Sequence, residues 1–409
     1  MIQPGIILSE FEKQEESYSP DEIREKESVH TSGVYSKRQV TIVRGKGAHL
    51  WDADGKEYID CVGGQGAANI GHANQVVAEA IYRQAQILVS CPEMFYNDKR
   101  AMVGEKLCNL TGMARVFLCN SGTEAVEAGI KFARLLTGRT EMIAAMRGFH
   151  GRTFGALSAT WEKKYRTPFE PLVPGYKHIP YNDLDALENA ITDQTAAVIL
   201  EVVQGEGGVN PGKEEFLLGA REITRKNGCL LILDEVQTGF GRTGKMFAFQ
   251  HFGIIPDILC LAKSIAGGIP MGACLLSTEM TALAPQTHGS TFGGNPLAAS
   301  AALASIQFIE ENNLPSRAAE LGVWFVQQLA GIQSPLIREV RGKGLMVGVE
   351  LKQKVTPFLQ KLMDKGVMAL PAGLTVMRFL PPLVIEKSDL EIVVTAVRDV
   401  LTDSLESGD

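Results

Sequence analysis

Short, almost wholly apolar runs recur through the middle of the chain, and polar or glycine-rich residues follow each of them. Continuous apolar runs, in contrast to alternating ones, are typical of parallel strands that are covered on both faces. Segments with helical spacing separate the runs, which predicts strand–helix–strand units with right-handed crossovers in one sheet. The runs are RVFLC (115–119), EMIAAM (141–146), AAVILE (196–201), CLLIL (229–233) and ILCLA (258–262).

The two ends of the chain follow other patterns. Residues 40–60 alternate around Asp54-Gly55, which predicts a small antiparallel sheet. Asn295 and Pro296 predict the start of a long helix, and the composition shifts after it. We therefore predict an α/β fold in three parts. These are an N-terminal arm with a small antiparallel sheet (1–65), a large domain with a mostly parallel, doubly wound sheet (66–304) and a smaller α+β domain (305–409).

Two finer predictions concern the termini. Residues 9–28 are charged and nearly free of large apolar side chains, which predicts an arm that is mobile or loosely docked. Near the other end, Ser388 and Glu391 predict a capping box at the start of the last helix.

Composition excludes several classes of function. A net charge of −7 argues against nucleic acid or an anionic membrane as the main partner. The 7 cysteines show no CxxC spacing, which indicates a reducing compartment and no structural metal. The N-terminus does not resemble a signal peptide, and the apolar runs fall short of the ~18 residues of a membrane span. We expect a cytoplasmic protein.

Lys263 and Asp234 are the first candidate catalytic residues. Lys263 follows a predicted buried strand, where its ammonium is costly unless it is paired or neutral. Desolvation lowers the pKa of an amine and makes it a nucleophile toward aldehydes. Asp234 ends another predicted strand, and the carboxyl ends of parallel strands share the edge of the sheet where ligands bind. Taken alone, Lys263 is more typical of a strand-end lysine that reaches solvent.

A candidate anion site lies at the predicted helix start SGTEA, residues 121–125. Ser121 and Glu124 match a capping box, which by itself explains both residues. Gly122 and Thr123 add free amides, a small residue and a hydroxyl at the positive end of a helix, which suits a phosphate.

Other candidates are aromatic or charged residues beside glycines. Phe149 suits either the core or the face of a planar ligand. Arg152 suits either a carboxylate or a structural ion pair. Arg378 lies within an apolar strand and therefore requires a partner. Ser290 and Thr291 lie in an exposed loop before a helix, where they face a ligand or a neighbouring subunit.

These groups together are the set that pyridoxal phosphate requires: a lysine for its aldehyde, an acid for its ring nitrogen and an anion site for its phosphate. From about Ser32 to the C-terminal helix the sequence resembles the class III aminotransferases, of the fold-type-I pyridoxal-phosphate superfamily. The motifs that carry the resemblance are SGTEA (121), GFHGRT (148), VVQGEGG (202), LDEVQTGFGRTG (233), LAKSIAGG (261), HGSTFGGNP (288), RGKGLM (341) and RFLPPL (378). Val203 departs from the proline of many members.

The resemblance implies a role for each matching residue. It implies that Lys263 binds the cofactor covalently and moves the proton, and that Asp234 bonds the ring nitrogen. In the same way it places Phe149 and Val236 on the two ring faces, Gln237 on the phenolic oxygen, and Gly122 and Thr123 on the phosphate. Thr291 matches a phosphate ligand from the partner subunit, which implies a homodimer with shared active sites. Arg378, Glu206, Arg152 and Ser290 match substrate-binding positions.

Within the family, EYIDCVGG (57) and IREVRGKGLMVGVELK (337) are most similar to the branch that acts on acetylornithine and on carrier-linked intermediates of lysine synthesis. This implies transfer of an amino group from glutamate to aminoadipate semialdehyde on a small acidic carrier protein, or to its ornithine analogue. Lys163, Lys164 and Arg166 suit an acidic carrier, or they form a solvated loop. The alternatives are an N-acetylornithine aminotransferase of arginine biosynthesis and, in another class, a nucleotide-binding oxidoreductase. No G-x-G-x-x-G motif opens the first long helix after a strand, which disfavours the latter.

Overall fold

A computed structural model gives the fold of residues 18–280 and 283–406. Its strands are β1 (Ile42–Lys46), β2 (His49–Asp52), β3 (Glu57–Asp60), β4 (Arg115–Cys119), β5 (Glu141–Ala145), β6 (Tyr176–Ile179), β7 (Thr195–Glu201), β8 (Val203–Gln204), β9 (Asn210–Pro211), β10 (Leu230–Asp234), β11 (Ile258–Leu261), β12 (Gly272–Leu276), β13 (Ile337–Lys343), β14 (Met346–Leu351), β15 (Val367–Met368), β16 (Leu370–Ala372) and β17 (Val376–Phe379). Its α-helices are α1 (Pro20–His30), α2 (Gly63–Gly66), α3 (Gln75–Ala85), α4 (Asp98–Thr111), α5 (Gly122–Thr137), α6 (Phe154–Ala159), α7 (Lys163–Arg166), α8 (Leu184–Ala190), α9 (Glu214–Lys226), α10 (Pro296–Glu311), α11 (Leu314–Ala330), α12 (Thr356–Asp364) and α13 (Lys387–Glu406).

A seven-stranded sheet forms the centre of the molecule, in the order β4-β12-β11-β10-β7-β5-β6. Strands β11, β10, β7, β5 and β6 pair in parallel, and β12 alone runs antiparallel to its two neighbours. The carboxyl ends of β4, β5, β7, β10 and β11 therefore lie at one edge of the sheet. The predicted mostly parallel, doubly wound sheet is confirmed.

The apolar runs form the core because both faces of the sheet are covered. All residues of β7 and β10 are buried. Helix α9 covers the sheet with Phe216, Leu217 and Ala220, and its bounds match the helical spacing in the sequence. Helix α10 begins as predicted, because Asn295 accepts a hydrogen bond from Ala298 N and Pro296 occupies the first turn.

Smaller sheets lie at the periphery. Strands β1, β2 and β3 form the antiparallel sheet predicted around Asp54-Gly55, and β15 adds to β3 in parallel. The β13–β14 hairpin pairs with β17, which pairs with β16. Strand β17 carries Arg378, so this second sheet delivers an arginine toward the edge of the central one.

At the N-terminus the described part of the arm is loosely docked, as predicted, whereas the cap predicted for the last helix was wrong. Residues 20–28 form most of α1, which Ser19 and Glu22 cap with a reciprocal box, although the helix buries none of its residues. Residues 9–17 of the predicted arm lie outside the described part of the chain. Helix α13 begins at Lys387, so Ser388 lies inside its first turn, and it is Asp389 that accepts a hydrogen bond from Glu386 N. In residues 18–280 and 283–406, no helix is long and apolar enough to cross a membrane.

Candidate active site

Lys263 lies just beyond β11, at the first position of a short 3₁₀ helix, Lys263–Ala266. Its φ is 49°, in the left-handed region that residues with a side chain seldom adopt. The next residue fixes this turn, because Ser264 Oγ donates a hydrogen bond to Gly66 O at 2.8 Å. The lysine is therefore held in one place at the carboxyl edge of the sheet.

Asp234 ends the neighbouring strand β10, and its backbone is in register with Cys260 of β11. The side chain is buried. Its Oδ2 lies 2.7 Å from His150 Nδ1, and its Oδ1 accepts a hydrogen bond from Val236 N at 3.0 Å. The predicted pair of strand-end residues, Asp234 and Lys263, is thus brought to one edge.

His150 is a site residue to which sequence reasoning gave no role of its own. Burial lowers its pKa, but the hydrogen bond to Asp234 and the charges of Asp234 and Glu201 outweigh burial, so the pKa is raised. The imidazole therefore supports a carboxylate at Asp234. The sequence did contain a clue to this role. A histidine follows strand β5 at the sheet edge that also holds a buried acid, and such an acid needs a cation nearby.

Glu201 is a second acid at this edge, at the end of β7. Its carboxylate accepts hydrogen bonds from Phe149 N at 2.9 Å and Gly205 N at 3.0 Å. Burial raises its pKa to about 7 against the opposing charge of His150. Glu201 therefore connects the loop that carries Phe149 to the loop that carries Glu206.

The amine of Lys263 is tuned by opposing effects. Burial lowers its pKa, the Glu206 carboxylate raises it and the Arg378 guanidinium lowers it again, with smaller raising effects from Asp234 and Glu201. The net direction is downward. A larger fraction of neutral amine is available near neutral pH than for an exposed lysine.

Arg378 meets its predicted need for a partner in Glu206. Its Nη1 lies 2.6 Å from Glu206 Oε1, and it also donates to Gln237 Oε1 at 3.2 Å. The Arg378 side chain is 2% exposed and that of Glu206 is 32% exposed. Burial raises the pKa of Glu206, but Arg378 and then Lys263 lower it further, so the net shift is downward and the pair is ionic.

The start of α5 is open as an anion site requires. Ser121 caps the helix by accepting a hydrogen bond from Glu124 N at 3.3 Å. The reciprocal half of the predicted box was wrong, because the Glu124 side chain accepts from Asn120 N instead, at 2.6 Å. A Cβ on Gly122 would lie 2.6 Å from Val236 Cγ1, so only glycine permits this close approach. Thr123 Oγ1 lies 2.8 Å from Thr153 Oγ1.

A cavity of about 480 Å³, which we call the large cleft, opens beside these groups. Phe149 is half-buried in its wall. Arg152 is exposed, and its guanidinium stacks 3.7 Å from the Tyr165 ring centroid. The residues that line the large cleft are Arg147, Gly148, Phe149, Trp161, Glu162, Lys164, Tyr165, Glu206, Gly207, Arg338, Arg341, Glu350 and residues 371–376.

Ser290 and Thr291 line a different cavity, of about 340 Å³, beside Asn120. Ser290 Oγ accepts hydrogen bonds from Asn120 Nδ2 and Gly293 N, both at 3.1 Å. Thr291 is exposed. Within one chain, neither residue shares the large cleft with Glu206 and Phe149.

The described groups fit pyridoxal phosphate by their chemistry. Asp234 is a buried acid 2.7 Å from His150 Nδ1, and Lys263 is a buried amine one strand away. The glycine at the start of α5 leaves backbone amides free for a phosphate, at the positive end of a 16-residue helix. The three groups stand at one sheet edge, as a ligand with an aldehyde, a basic nitrogen and a phosphate requires.

Comparisons with known proteins agree with this geometry. The class-III aminotransferase family model matches residues 32–401. The chain is 51% identical over 383 residues to the [LysW]-aminoadipate semialdehyde transaminase of Deinococcus radiodurans, covering 92% of this chain and 89% of that protein. It is 46% identical over 375 residues to the acetylornithine aminotransferase of Methanosarcina mazei, covering 91% and 95%.

Solved structures give the same result. The ornithine aminotransferase of Toxoplasma gondii, with pyridoxal phosphate at partial occupancy in its active site, superposes with a TM-score of 0.93 at 33% identity, over 98% of each chain. The acetylornithine aminotransferase of Elizabethkingia anophelis superposes with a TM-score of 0.84 at 32% identity, over 95% of this chain and 100% of that one. The fold-type-I prediction is confirmed, and the oxidoreductase alternative has no support. The chain therefore belongs to the class-III aminotransferases, which use pyridoxal phosphate.

Proposed function

We propose that this aminotransferase moves an amino group between glutamate and a terminal semialdehyde, with the Arg378–Glu206 pair as its substrate switch. The observation that carries the proposal is that this 2.6 Å ion pair lies beside Lys263, whose pKa both members influence. A buried arginine that loses its partner costs about 3–5 kcal/mol, so Arg378 requires an anion in every state of the site.

This requirement explains how one site serves two substrates. When glutamate binds, its α-carboxylate replaces Glu206 on Arg378, and Glu206 swings toward the large cleft. When a terminal amine binds instead, it brings no carboxylate to Arg378, so Glu206 stays paired with that arginine and neutralises it. Gln237 holds the arginine in place in both cases through its 3.2 Å hydrogen bond.

The remaining residues would hold the cofactor. Bound pyridoxal phosphate supplies an electron sink that stabilises negative charge on the substrate carbon. We assign its ring nitrogen to Asp234 and its phenolic oxygen to Gln237. Phe149 and Val236 pack on its two faces. Gly122 and Thr123 bind its phosphate at the start of α5.

Lys263 would act at the reacting carbon. Its Nζ has a lowered pKa and lies at a fixed turn, so it can accept a proton and return it to a different atom. His150 would orient the Asp234 carboxyl group through its 2.7 Å hydrogen bond. Burial of these groups excludes water from the proton transfer.

The substrate we favour is aminoadipate semialdehyde linked to an acidic carrier protein. The support is the identity of 51% to a transaminase named for that substrate. Lys163 and Lys164 are exposed, and Lys164 lines the large cleft, as a cationic surface for a carrier would require. Free N-acetylornithine is the second candidate, because relatives with 44% to 46% identity are named for it. Arg152 and Ser290 would contact either substrate.

We also propose a homodimer with shared active sites. Thr291 would reach the phosphate of the partner's site, since it is exposed and lies outside the large cleft of its own chain. Large apolar side chains are exposed nearby, including Phe95 and Tyr96. Arg100 joins this segment to the Thr291 loop by donating to Phe95 O at 2.9 Å and Gly294 O at 3.2 Å. A continuous exposed apolar patch is typical of a subunit interface.

The test follows the absorbance of the lysine-bound cofactor while single amines are added to the holoenzyme. Glutamate and carrier-linked lysine should bleach this absorbance rapidly, and N-acetylornithine should bleach it slowly. The reverse order for the last two would make the free acetylated amine the substrate. No response to glutamate would contradict the proposed switch.

A further inference from the structure

The large cleft runs from half-buried residues to the surface. Phe149 and Glu206 are half-buried, whereas Lys164 and Leu374 are exposed, the latter at 66%. A substrate whose reacting end lies at Lys263 therefore places its remaining length in this cleft. The charges along the cleft decide which groups that length can carry.

Most of the charges in the cleft are already paired. Glu206 binds Arg378, and Glu350 binds Arg338 at 3.0 Å and Arg341 at 2.6 Å. Arg341 also donates to Gly208 O at 2.6 Å, which fixes its position.

Arg147 is the exception among the arginines of the cleft. Within residues 18–280 and 283–406, its guanidinium makes no ion pair or hydrogen bond. At the rim, Lys164 Nζ lies 4.8 Å from the Tyr165 ring centroid, and the exposed carboxylate of Glu162 accepts a hydrogen bond from Lys164 N at 3.5 Å. The cleft therefore has a free cation at Arg147 although the chain has a net charge of −7.

The backbone holds Arg147 against the loop of the substrate switch. Its φ is 64°, a left-handed conformation that persists only where the surroundings enforce it. A Cβ on Gly207 would lie 2.3 Å from Arg147 O and 2.9 Å from Arg147 Cβ. The backbone and Cβ of Arg147 thus pack on the residue that follows Glu206, so its side chain starts beside the loop of the switch.

We propose that Arg147, with Lys164 at the rim, binds a second carboxylate, carried by the acyl group on the substrate's distal nitrogen; this assignment rests on the proposed function. The family resemblance assigns Arg152 to a substrate-binding position, and its guanidinium stacks on the Tyr165 ring. Arg147 is thus a specificity-determining residue that separates acidic from neutral acyl groups.

Two probe amines of equal carbon count test this directly: Nα-glutaryl-lysine and Nα-pentanoyl-lysine, which differ only in the terminal carboxylate. A charge-assisted hydrogen bond at an exposed arginine should favour the glutaryl amine by about tenfold in kcat/KM. The preference should decline as salt is added, because the contact is partly exposed.

Arg147→Gln should abolish this preference by lowering kcat/KM for the glutaryl amine alone. Activity on the pentanoyl amine serves as the internal control for folding. Arg225→Gln, which removes an exposed arginine paired with Glu279 at 3.4 Å on the far helix α9, should change neither substrate.

Three outcomes would overturn the assignment. In the first, wild type and Arg147→Gln prefer the glutaryl amine over the pentanoyl amine equally. In the second, Arg147→Gln loses kcat/KM equally on both amines. The third is a loss with carrier-linked lysine but not with glutaryl-lysine, which would show that Arg147 serves the carrier's surface. If wild type reacts with neither probe amine nor carrier-linked lysine, the proposed function itself fails.

Discussion

Lys263 occupies a position that costs the fold free energy. A non-glycine residue with a φ of 49° is strained by about 1–3 kcal/mol. Burial also lowers the pKa of its amine, which means that folding disfavours the ammonium form. Neither the strained φ nor the buried amine stabilises the protein, so both are explained by the catalytic role of Lys263. The Arg378–Glu206 pair is a second such feature, since a buried ion pair contributes little net stability.

We expect Lys263→Ala to lower transamination by at least about 10³-fold, because it removes the amine that moves the proton. The melting temperature without cofactor should not fall, since the variant no longer buries an amine. Steady-state assays and thermal scans measure the two effects. Lys226→Ala is the control, because that lysine is exposed and pairs with Glu188 on the surface. Full activity of Lys263→Ala would contradict the assignment.

Arg378→Ala should weaken the glutamate half-reaction by about 10- to 100-fold in kcat/KM, the value of a charge-assisted hydrogen bond. The terminal-amine half-reaction should lose less, because its substrate brings no carboxylate to this arginine. Stopped-flow absorbance measures each half-reaction separately. Arg378→Ala combined with Glu206→Gln removes the carboxylate left without a partner, and equal losses in both half-reactions of this double variant would argue against the switch.

At the scale of elements, a buried carboxylate begins the 3₁₀ helix Ala248–His251. Glu235 accepts hydrogen bonds from Ala248 N and Phe249 N, both at 2.7 Å, and from Thr238 Oγ1 at 3.1 Å. Burial nevertheless raises its pKa from 4.5 to about 7. The folded protein therefore holds this proton more tightly than the unfolded chain does.

This difference predicts a pH dependence of stability. The stabilising contribution of protonated Glu235 is complete below about pH 4.5 and is lost as the pH rises through about 7. Glu235→Gln does not titrate, so its melting temperature should fall less than that of wild type between about pH 5 and 8. The free-energy difference is on the order of 3 kcal/mol at most. Parallel pH profiles for the two proteins would contradict the assignment.

The sequence was most informative about individual strands and helices. Continuous apolar runs identified the central strands, and the Asn295-Pro296 cap identified the start of α10, because these depend on neighbours in the chain. The His150–Asp234 contact joins residues 84 apart and follows only from the sheet order. The Ser388 cap failed because several acids and hydroxyls near residue 387 compete to begin α13. Family resemblance, not periodicity, supplied the individual roles in the site.

At the scale of the whole molecule, the proposed dimer would complete the active site with a residue from the partner subunit. Thr291 and the exposed Tyr96 do not line the large cleft of their own chain. A twofold dimer would bury this patch and exchange the two Thr291 loops between sites.

Mixed dimers test this exchange. Lys263→Ala and Thr291→Ala, each impaired alone, should regain about a quarter of the wild-type sites when co-expressed at equal levels. The reason is that each mixed dimer contains one site with both a native lysine and a native threonine. Site titration by cofactor absorbance and activity measures the recovery. If Thr291 acted within its own chain, no site would be restored.

The pairing of β15 with β3 also bears on how the protein is made. Strand β3 acquires its parallel partner only when residues 367 and 368 have been synthesised, about 300 residues later. During translation the nascent chain therefore exposes one unpaired edge of its first sheet for tens of seconds. A chain truncated before residue 367 would keep this edge unpaired, so it should aggregate more readily than the full-length chain.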